Sequence, residues 1–145
     1  MTTNEFPRVV VGVDGTTNSL AALRHAALDA VEREAVLDVV HAVGRDECDG
    51  RTSAAALDRG RMLLDAAVAG VPETARVSAV RRHLESGEPA DELLRYAAGA
   101  ELLILGARTD PEHVRPLGGT TIPHVLAASP CEVLVCADHS VAVAA

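Results

Sequence analysis

The stretch VVVGVDGTTNSLAALRHA, residues 9–26, joins an unbroken apolar run to a helical pattern through an Asp-Gly turn. A continuous run of β-branched residues indicates a strand that is buried on both faces, as in a parallel sheet. After the turn, apolar residues recur at helical spacing, at Leu20, Leu23, Ala27 and Val31. The sequence therefore predicts a strand over residues 8–13 and a helix from residue 17 to about residue 34.

The same order of strand and helix repeats along the rest of the chain. Further strands are predicted over residues 36–43, 76–87, 100–107 and 131–137, and further helices over 53–69, from Pro89, and over 121–128. Polar and apolar residues alternate at the start of the third strand, which favours the edge of the sheet. The alternation predicts one α/β domain over residues 1–145, with a five-stranded parallel open sheet flanked by four helices.

Composition excludes several classes of partner. The formal net charge is -8, and the only Phe, Tyr or Trp residues are Phe6 and Tyr96. Nucleic acid is therefore not an expected partner, because phosphate backbones require clustered positive charge and single strands require stacking surfaces. No apolar run approaches the ~20 residues that cross a bilayer, and no signal peptide is visible. We expect a cytoplasmic protein that does not enter the membrane.

The side chains that usually carry catalysis do not form a recognisable set. All thirteen basic residues are arginine, so a P-loop lysine, a Schiff-base lysine and the lysine of a receiver domain are excluded. The cysteines share no CxxC spacing and the histidines form no HxxxH or HExxH pair. No serine or cysteine nucleophile comes with a paired base. The sequence predicts no catalytic residue, no metal site and no enzyme.

Four stretches together resemble the universal stress protein family. They are residues 9–26, LDVVHAV at 37–43, GEPADELLRYAAGAELLILGAR at 87–108 and GTTIPHVLAASPCEVLVC at 119–136. The resemblance implies the Rossmann-like sandwich of the adenine nucleotide α-hydrolase-like proteins. It also implies a regulator or sensor of the stress response that binds ATP, or AMP or ADP, with or without Mg²⁺. A homodimer through the last strand is implied as well, together with an unidentified protein partner.

The nucleotide signature of that family is Gly, two residues, Gly, nine residues, Gly, then Ser or Thr. Gly106 fills the first position, and Gly119 and Thr120 fill the last two in register. Thr109 stands where the second Gly belongs, and a β-branched residue suits neither positive φ nor close contact of the backbone with a ligand. Gly119, Thr120 and Thr121 stand at the predicted start of a helix, where exposed backbone N–H groups favour the binding of an anion.

The resemblance assigns binding roles residue by residue. Gly12, Val13 and Asp14 would meet the adenine and ribose, and Ala42 would offer backbone hydrogen bonds to adenine. The phosphates would be lined by Gly106, Arg108 and Thr109, and closed by Gly119, Thr120 and Thr121. His41 is interpreted as a core or rim residue and not as a base.

Two functions stay open on these residues. One is an adenine-nucleotide-binding regulator, supported by Asp14 and by Gly119-Thr120. The other is a dimeric protein-interaction module that has lost nucleotide binding, supported by Thr109 and by the carboxylates of Asp110 and Glu112. The first loop, GVDGTTNS, matches neither the SGGxDS of the related amide- and thiol-forming enzymes nor the GxGxxG of a Rossmann dehydrogenase.

Overall fold

Strands and α-helices alternate along the computed structural model, which describes residues 6–44, 52–107 and 121–137. The strands are β1 (Arg8–Gly12), β2 (Val36–Val43), β3 (Val80–Ser86), β4 (Leu102–Gly106) and β5 (Glu132–Cys136). The helices are α1 (Thr17–Arg33), α2 (Ala54–Gly70), α3 (Pro89–Ala97) and α4 (Thr121–Ala128). The predicted positions are confirmed to within a few residues, except at the start of β3.

All five strands pair in parallel in the order β3-β2-β1-β4-β5. The chain first proceeds from β1 outward to β3, and then returns to the other side of β1 for β4 and β5. The order of strands therefore reverses between β1 and β4. This confirms the α/β fold with a five-stranded parallel sheet flanked by four helices, and it places β3 at an edge, as its polar pattern predicts.

The core consists of two layers, one on each face of the sheet. Successive strand residues point to opposite faces. Val9 packs with Leu23 on the face covered by α1 and α2. Val10 packs with Leu93 on the face covered by α3 and α4. Each of these side chains is at least nine-tenths buried, and burial of such a side chain contributes about 1.5–3 kcal/mol.

The prediction that a strand begins at residue 76 is wrong. Residues Pro72–Arg76 form a short 3-10 helix, and β3 begins only at Val80. Pro72 provides the fixed φ of a first helical turn, and the buried Thr74 hydroxyl donates to the carbonyls of Val68 and Val71 at 3.1 and 2.8 Å. These bonds tie the segment to the end of α2, so its alternating pattern does not reflect pairing in the sheet.

Helix α1 begins at a side-chain cap that also faces the carboxyl end of the sheet. Thr16 is the N-cap, and its hydroxyl oxygen accepts from the Ser19 N–H at 3.2 Å. At the other end Glu34 adopts the left-handed conformation, with φ 53° and ψ 44°, and its N–H bonds back to the Ala30 and Val31 carbonyls.

In the described parts of the chain, no helix is long and apolar enough to span a membrane.

Candidate functional site

A cavity of about 250 Å³ opens at the carboxyl ends of β1, β2 and β4. Its walls are these strand ends and the first turns of α1, α3 and α4. The lining residues are Gly12, Val13, Asp14, Ser19, Val40, His41, Ala42, Pro89, Leu93, Leu105, Gly106, Thr121 and Ile122. The cavity therefore lies where the order of strands reverses, which is where open parallel sheets bind their ligands.

The sequence-predicted residues that the structure describes all lie in the lining of this cavity. They are Gly12, Val13, Asp14, Ala42, Gly106 and Thr121. Arg108, Thr109, Gly119 and Thr120 lie outside the described residues. The structure thus brings the predicted base and ribose residues together with Gly106 and Thr121, the first and last residues of the predicted phosphate loop.

Asp14 is held in a hydrogen-bonded turn between β1 and α1. Its Oδ1 accepts from the Thr16 N–H at 3.0 Å and from the Thr16 hydroxyl at 2.6 Å. The Asp14 N–H donates to the Ser19 hydroxyl oxygen at 3.2 Å, and Ser19 is buried. Aspartate commonly forms such a turn with its own backbone. The turn fixes the exposed carboxylate at the mouth of the cavity before any ligand arrives.

Gly106 is required by the packing of α1 on β4. A Cβ at this position would lie 2.5 Å from the Asn18 carbonyl carbon and 2.5 Å from the Ser19 nitrogen. These are backbone atoms, so relief of the clash requires movement of the helix. The Asn18 side-chain amide also donates to the Ala107 carbonyl at 2.6 Å. The first turn of α1 therefore packs directly against the end of β4 and is hydrogen-bonded to it, beside the cavity.

The end of β2 has backbone groups directed toward the cavity. The Val13 N–H donates to the Val40 carbonyl at 2.9 Å, so the even-numbered residues of β2 point their N–H and C=O groups toward β1. The next bond of this ladder would join the Ala42 N–H to the Val13 carbonyl. Among the described residues that bond is not made, and His41 Nδ1 lies 2.8 Å from the same carbonyl oxygen.

The floor of the cavity is apolar. Val40, Leu93 and Leu105 are buried in the layer between the sheet and α3. A Cβ at Gly12 would lie 3.0 Å from a methyl carbon of Leu93 and 3.1 Å from one of Leu105, so the absence of a side chain lets these two leucines pack closely against the end of β1. An apolar floor with a few polar groups at its rim suits a flat organic ring.

Sequence reasoning does not single out several residues of the lining. They are Ser19, Val40, Pro89, Leu93, Leu105 and Ile122, and His41 is interpreted only as a core or rim residue. Pro89 marks the start of α3, and in a parallel sheet the helix that follows an edge strand begins at the carboxyl end of the strands. That signal would have placed the start of α3 at the cavity. The apolar residues carry no comparable signal.

A separate ionic cluster lies on the α3 face of β2 and β3. The buried Asp38 carboxylate accepts from Arg81 Nε at 2.7 Å, from Arg81 Nη2 at 3.0 Å and from Arg8 Nη1 at 3.2 Å, and His83 Nε2 lies 2.9 Å away. Burial acts to raise the pKa of Asp38. The bonds from Arg81, His83 and Arg8 outweigh it, and the pKa lies below its usual value.

Two further side chains, Tyr96 and Cys136, have raised pKa values, which favours their neutral forms at neutral pH. Burial, with a hydrogen bond to Glu85, raises the pKa of Tyr96 to about 12. Burial also raises the pKa of the Cys136 thiol, and the charge of Asp29 adds to the effect. A thiol with a raised pKa is a poor nucleophile. Among the described residues, no group of three or more His, Cys, Asp or Glu side chains could hold a metal ion.

Comparison with known proteins gives a family and a set of similar folds. The model of the universal stress protein family matches residues 5–137. A universal stress protein solved in complex with cAMP is 25% identical, with a TM-score of 0.70 over 91% of this chain and 97% of its own. A universal stress protein from Archaeoglobus fulgidus is 23% identical, with a TM-score of 0.73 over 90% of this chain and 93% of its own.

A structure of the universal stress protein from Archaeoglobus fulgidus in complex with dAMP is similar to the same degree. It is 24% identical, with a TM-score of 0.71 over 90% of this chain and 97% of its own. No curated protein matches the chain by sequence at a significant level.

Proposed function

This chain belongs to the universal stress protein family, and from that premise we propose that it binds an adenine nucleotide in the cavity at the carboxyl ends of β1, β2 and β4. Binding would make it a regulator or sensor in the stress response that works in the cytoplasm without catalysis. ATP, AMP and ADP are the candidate ligands, with or without Mg²⁺.

The observation that carries the proposal is the convergence of residues far apart in the sequence on one cavity. Asp14 follows β1, Ala42 lies near the end of β2, Gly106 ends β4 and Thr121 begins α4, and all of them line the cavity. The sequence assigns each of them to a nucleotide through the family resemblance and not through its position in space.

Each part of a nucleotide has a matching group in this arrangement. The apolar floor of Val40, Leu93 and Leu105 would take the face of the base, and the N–H and C=O of Ala42 would meet its polar edge. The fixed Asp14 carboxylate would accept from the ribose hydroxyls, in charge-assisted hydrogen bonds. The N–H groups at the start of α4 would face the phosphates.

A relative at the level of 25% identity adds support for the ligand class. That universal stress protein was solved in complex with cAMP, and its match covers 91% of this chain. An adenine ring, a ribose and a phosphate are the parts that cAMP shares with AMP and ATP. We therefore propose an adenine nucleotide as the ligand class and leave the number of phosphates to the binding measurements.

We also propose a homodimer that forms through β5. β5 is an edge strand, and its Leu134 and Val135 are more than one-third exposed. Leu126 on α4 is 55% exposed. An uncovered apolar edge strand tends to pair with another strand, and a second copy of this chain would cover it.

The proposal is tested by calorimetric titration of AMP and ATP into two charge-matched variants. Asp14→Asn keeps an acceptor oxygen for Thr16 but removes the negative charge that would meet the ribose, so we expect about five- to tenfold weaker binding. Asp58→Asn makes the same charge change on an exposed part of α2, and we expect it to bind like the wild type. Equal affinity of both variants would contradict the assignment of Asp14.

A second candidate function is a dimeric protein-interaction module that binds no nucleotide. The observation in its favour is that two of the assigned residues have a role in the fold without a ligand. Gly106 is required by the approach of α1, and the Asp14 carboxylate bonds to Thr16. The titration above decides between the two candidates, because a module of this kind would show no heat of binding with the wild type.

A further inference from the structure

We infer that His41 is a positioning residue for the bound base: it occupies the Val13 carbonyl and thereby keeps the Ala42 N–H free for the ligand. This inference rests on the proposed function, since it concerns the same cavity. It assigns a role to a side chain that lies outside the nucleotide signature of the family.

The direction of the β2 backbone is the first step of the argument. The bond from the Val13 N–H to the Val40 carbonyl shows that residues 40 and 42 both present their backbone groups to the β1 side. β1 ends at Gly12, and Val13 is the next residue, before the turn at Asp14. The Ala42 N–H therefore faces the last carbonyl that the ladder could use.

The second step is that this carbonyl already has a partner. His41 Nδ1 lies 2.8 Å from the Val13 oxygen. A carbonyl oxygen only accepts, so Nδ1 must carry the proton and donate. This holds for the neutral Nδ1–H tautomer and for the protonated ring alike. Val13 is 4% exposed, so an unpaired carbonyl at this place would be costly.

The third step is that the ring is held in this position from the opposite side. α2 approaches the end of β2 at Gly60, where an added Cβ would lie 2.7 Å from Val43 Cγ2 and 3.4 Å from His41 Cδ2. The absence of a side chain at Gly60 lets the helix backbone come close to the imidazole. The ring thus lies between α2 and the end of β1, with its Nδ1 directed at the Val13 carbonyl.

The consequence concerns the free backbone groups at the cavity. The Val13 carbonyl bonds to His41 and not to the Ala42 N–H, so the ladder between β1 and β2 stops one bond early, and the Ala42 N–H and C=O remain for a ligand. One donor beside one acceptor matches the edge of a purine base. Without the imidazole, the Val13 carbonyl would take the Ala42 N–H, and the ligand would lose that donor.

Amide hydrogen exchange of the ligand-free protein, followed residue by residue by NMR, tests the inference directly. In the wild type we expect the Ala42 amide to exchange much faster than the Val40 amide. In His41→Leu we expect the Ala42 amide to become protected, because the ladder extends by one bond. A wild-type Ala42 amide as slow as that of Val40, or one that stays fast in His41→Leu, would overturn the inference.

Two amide variants form the matched control. Asn places its side-chain amide near the position of Nδ1, whereas Gln places it near Nε2. We therefore expect His41→Asn to keep the fast exchange of Ala42, and His41→Gln to behave like His41→Leu. The Gln variant also replaces His41→Leu if the latter does not fold. An Asn variant that behaves like the Leu variant contradicts a role for the Nδ1 donor.

Titration with AMP separates this inference from the proposed function. We expect His41→Leu to bind AMP about five- to tenfold more weakly, the loss of about one hydrogen bond, and His41→Asn to restore the affinity. A wild type that binds none of AMP, ADP and ATP would refute the proposed function, and the exchange comparison would still test the role of His41. Equal AMP affinity in the wild type and His41→Leu would refute the role of His41 alone.

Discussion

Gly106 shows how one residue can satisfy two independent requirements. Its place in the motif assigns it to phosphate, whereas the structure shows that any side chain there would meet the backbone of Asn18 and Ser19 at 2.5 Å. The motif alone cannot separate the two, because the clash arises between parts of the chain that are distant in sequence. Gly106 is therefore weak support for a ligand, and Asp14 and Ala42 carry more weight.

Asp38 gives a residue-scale prediction that is independent of any ligand. Its carboxylate is fully buried and bonded to Arg8 and Arg81. We expect Asp38→Asn to lower the free energy of unfolding at pH 7 by about 3 kcal/mol, near the lower end for a broken buried pair, because the Arg81 side chain is 52% exposed. Urea denaturation of the variant and the wild type measures the difference.

The pH dependence of that difference follows from the lowered pKa of Asp38. In the unfolded chain the carboxyl has its ordinary pKa, about 3.9. Its contribution to stability is therefore complete above about pH 4 and is lost as the pH falls through the lower pKa of the folded state. We expect the wild type and Asp38→Asn to converge in stability in strong acid. A difference that stays constant from pH 7 to pH 2 would contradict this.

At the scale of elements, the first turn of α1 connects the stability of the helix to the geometry of the cavity. Thr16 caps the helix by accepting from Ser19, and it also donates to Asp14. Ser53 caps α2 in the same way, by accepting from the Ala56 N–H at 3.1 Å. Ser53 does not line the cavity. The two caps therefore form a matched pair.

We expect Thr16→Ala and Ser53→Ala to cost about the same stability, about 1 kcal/mol each. Only Thr16→Ala should also weaken the binding of AMP, because it removes the hydroxyl that helps to hold the Asp14 carboxylate in its turn. Thermal unfolding measures the first effect and calorimetric titration the second. Comparable AMP affinity in the two variants would show that the Thr16 hydroxyl does not position Asp14 for the ligand.

The strands also show which elements the sequence can predict and why the start of one of them could not be predicted. β1 and β4 are found from the sequence because strands buried on both faces are continuously apolar. β2 is found from its valine-rich run, although Asp38 and His41 interrupt it. The start of β3 is misplaced because Val77 and Val80 alternate with polar residues, while the local structure there is decided by Pro72 and by the bonds of Thr74 to α2. Those bonds depend on tertiary contacts that a short pattern does not contain.

At the scale of the whole molecule, the alternation of strands and helices predicts the parallel sheet, but not the strand order. The place of the cavity follows once the order reverses at β1 and β4. Asp14 could be assigned from the sequence because it follows a predicted strand within a stretch that resembles the family. Leu93 and Leu105 could not, because apolar lining residues look like any other core residue.

The two edges of the sheet give a prediction for the assembly. The Ala107 N–H bonds to the Cys136 carbonyl, so the N–H of Val135 points away from β4, at the free edge. We expect Val135→Pro to convert a dimer into a monomer in sedimentation analysis without breaking the β4–β5 ladder. Arg82→Pro makes the same change at the free edge of β3 and should leave the dimer intact. Monomers in both variants, or dimers in both, would contradict a β5 interface.

The central claim is that the cavity holds an adenine nucleotide, and the most direct measurement is unfolding of the freshly purified protein with and without added ligand. We expect denaturation to release an adenine nucleotide, identified by mass. We also expect AMP or ATP at 100 times its dissociation constant to raise the free energy of unfolding by about 2.7 kcal/mol. No released nucleotide, together with an unchanged unfolding transition at millimolar AMP, ADP and ATP with and without Mg²⁺, would contradict the claim.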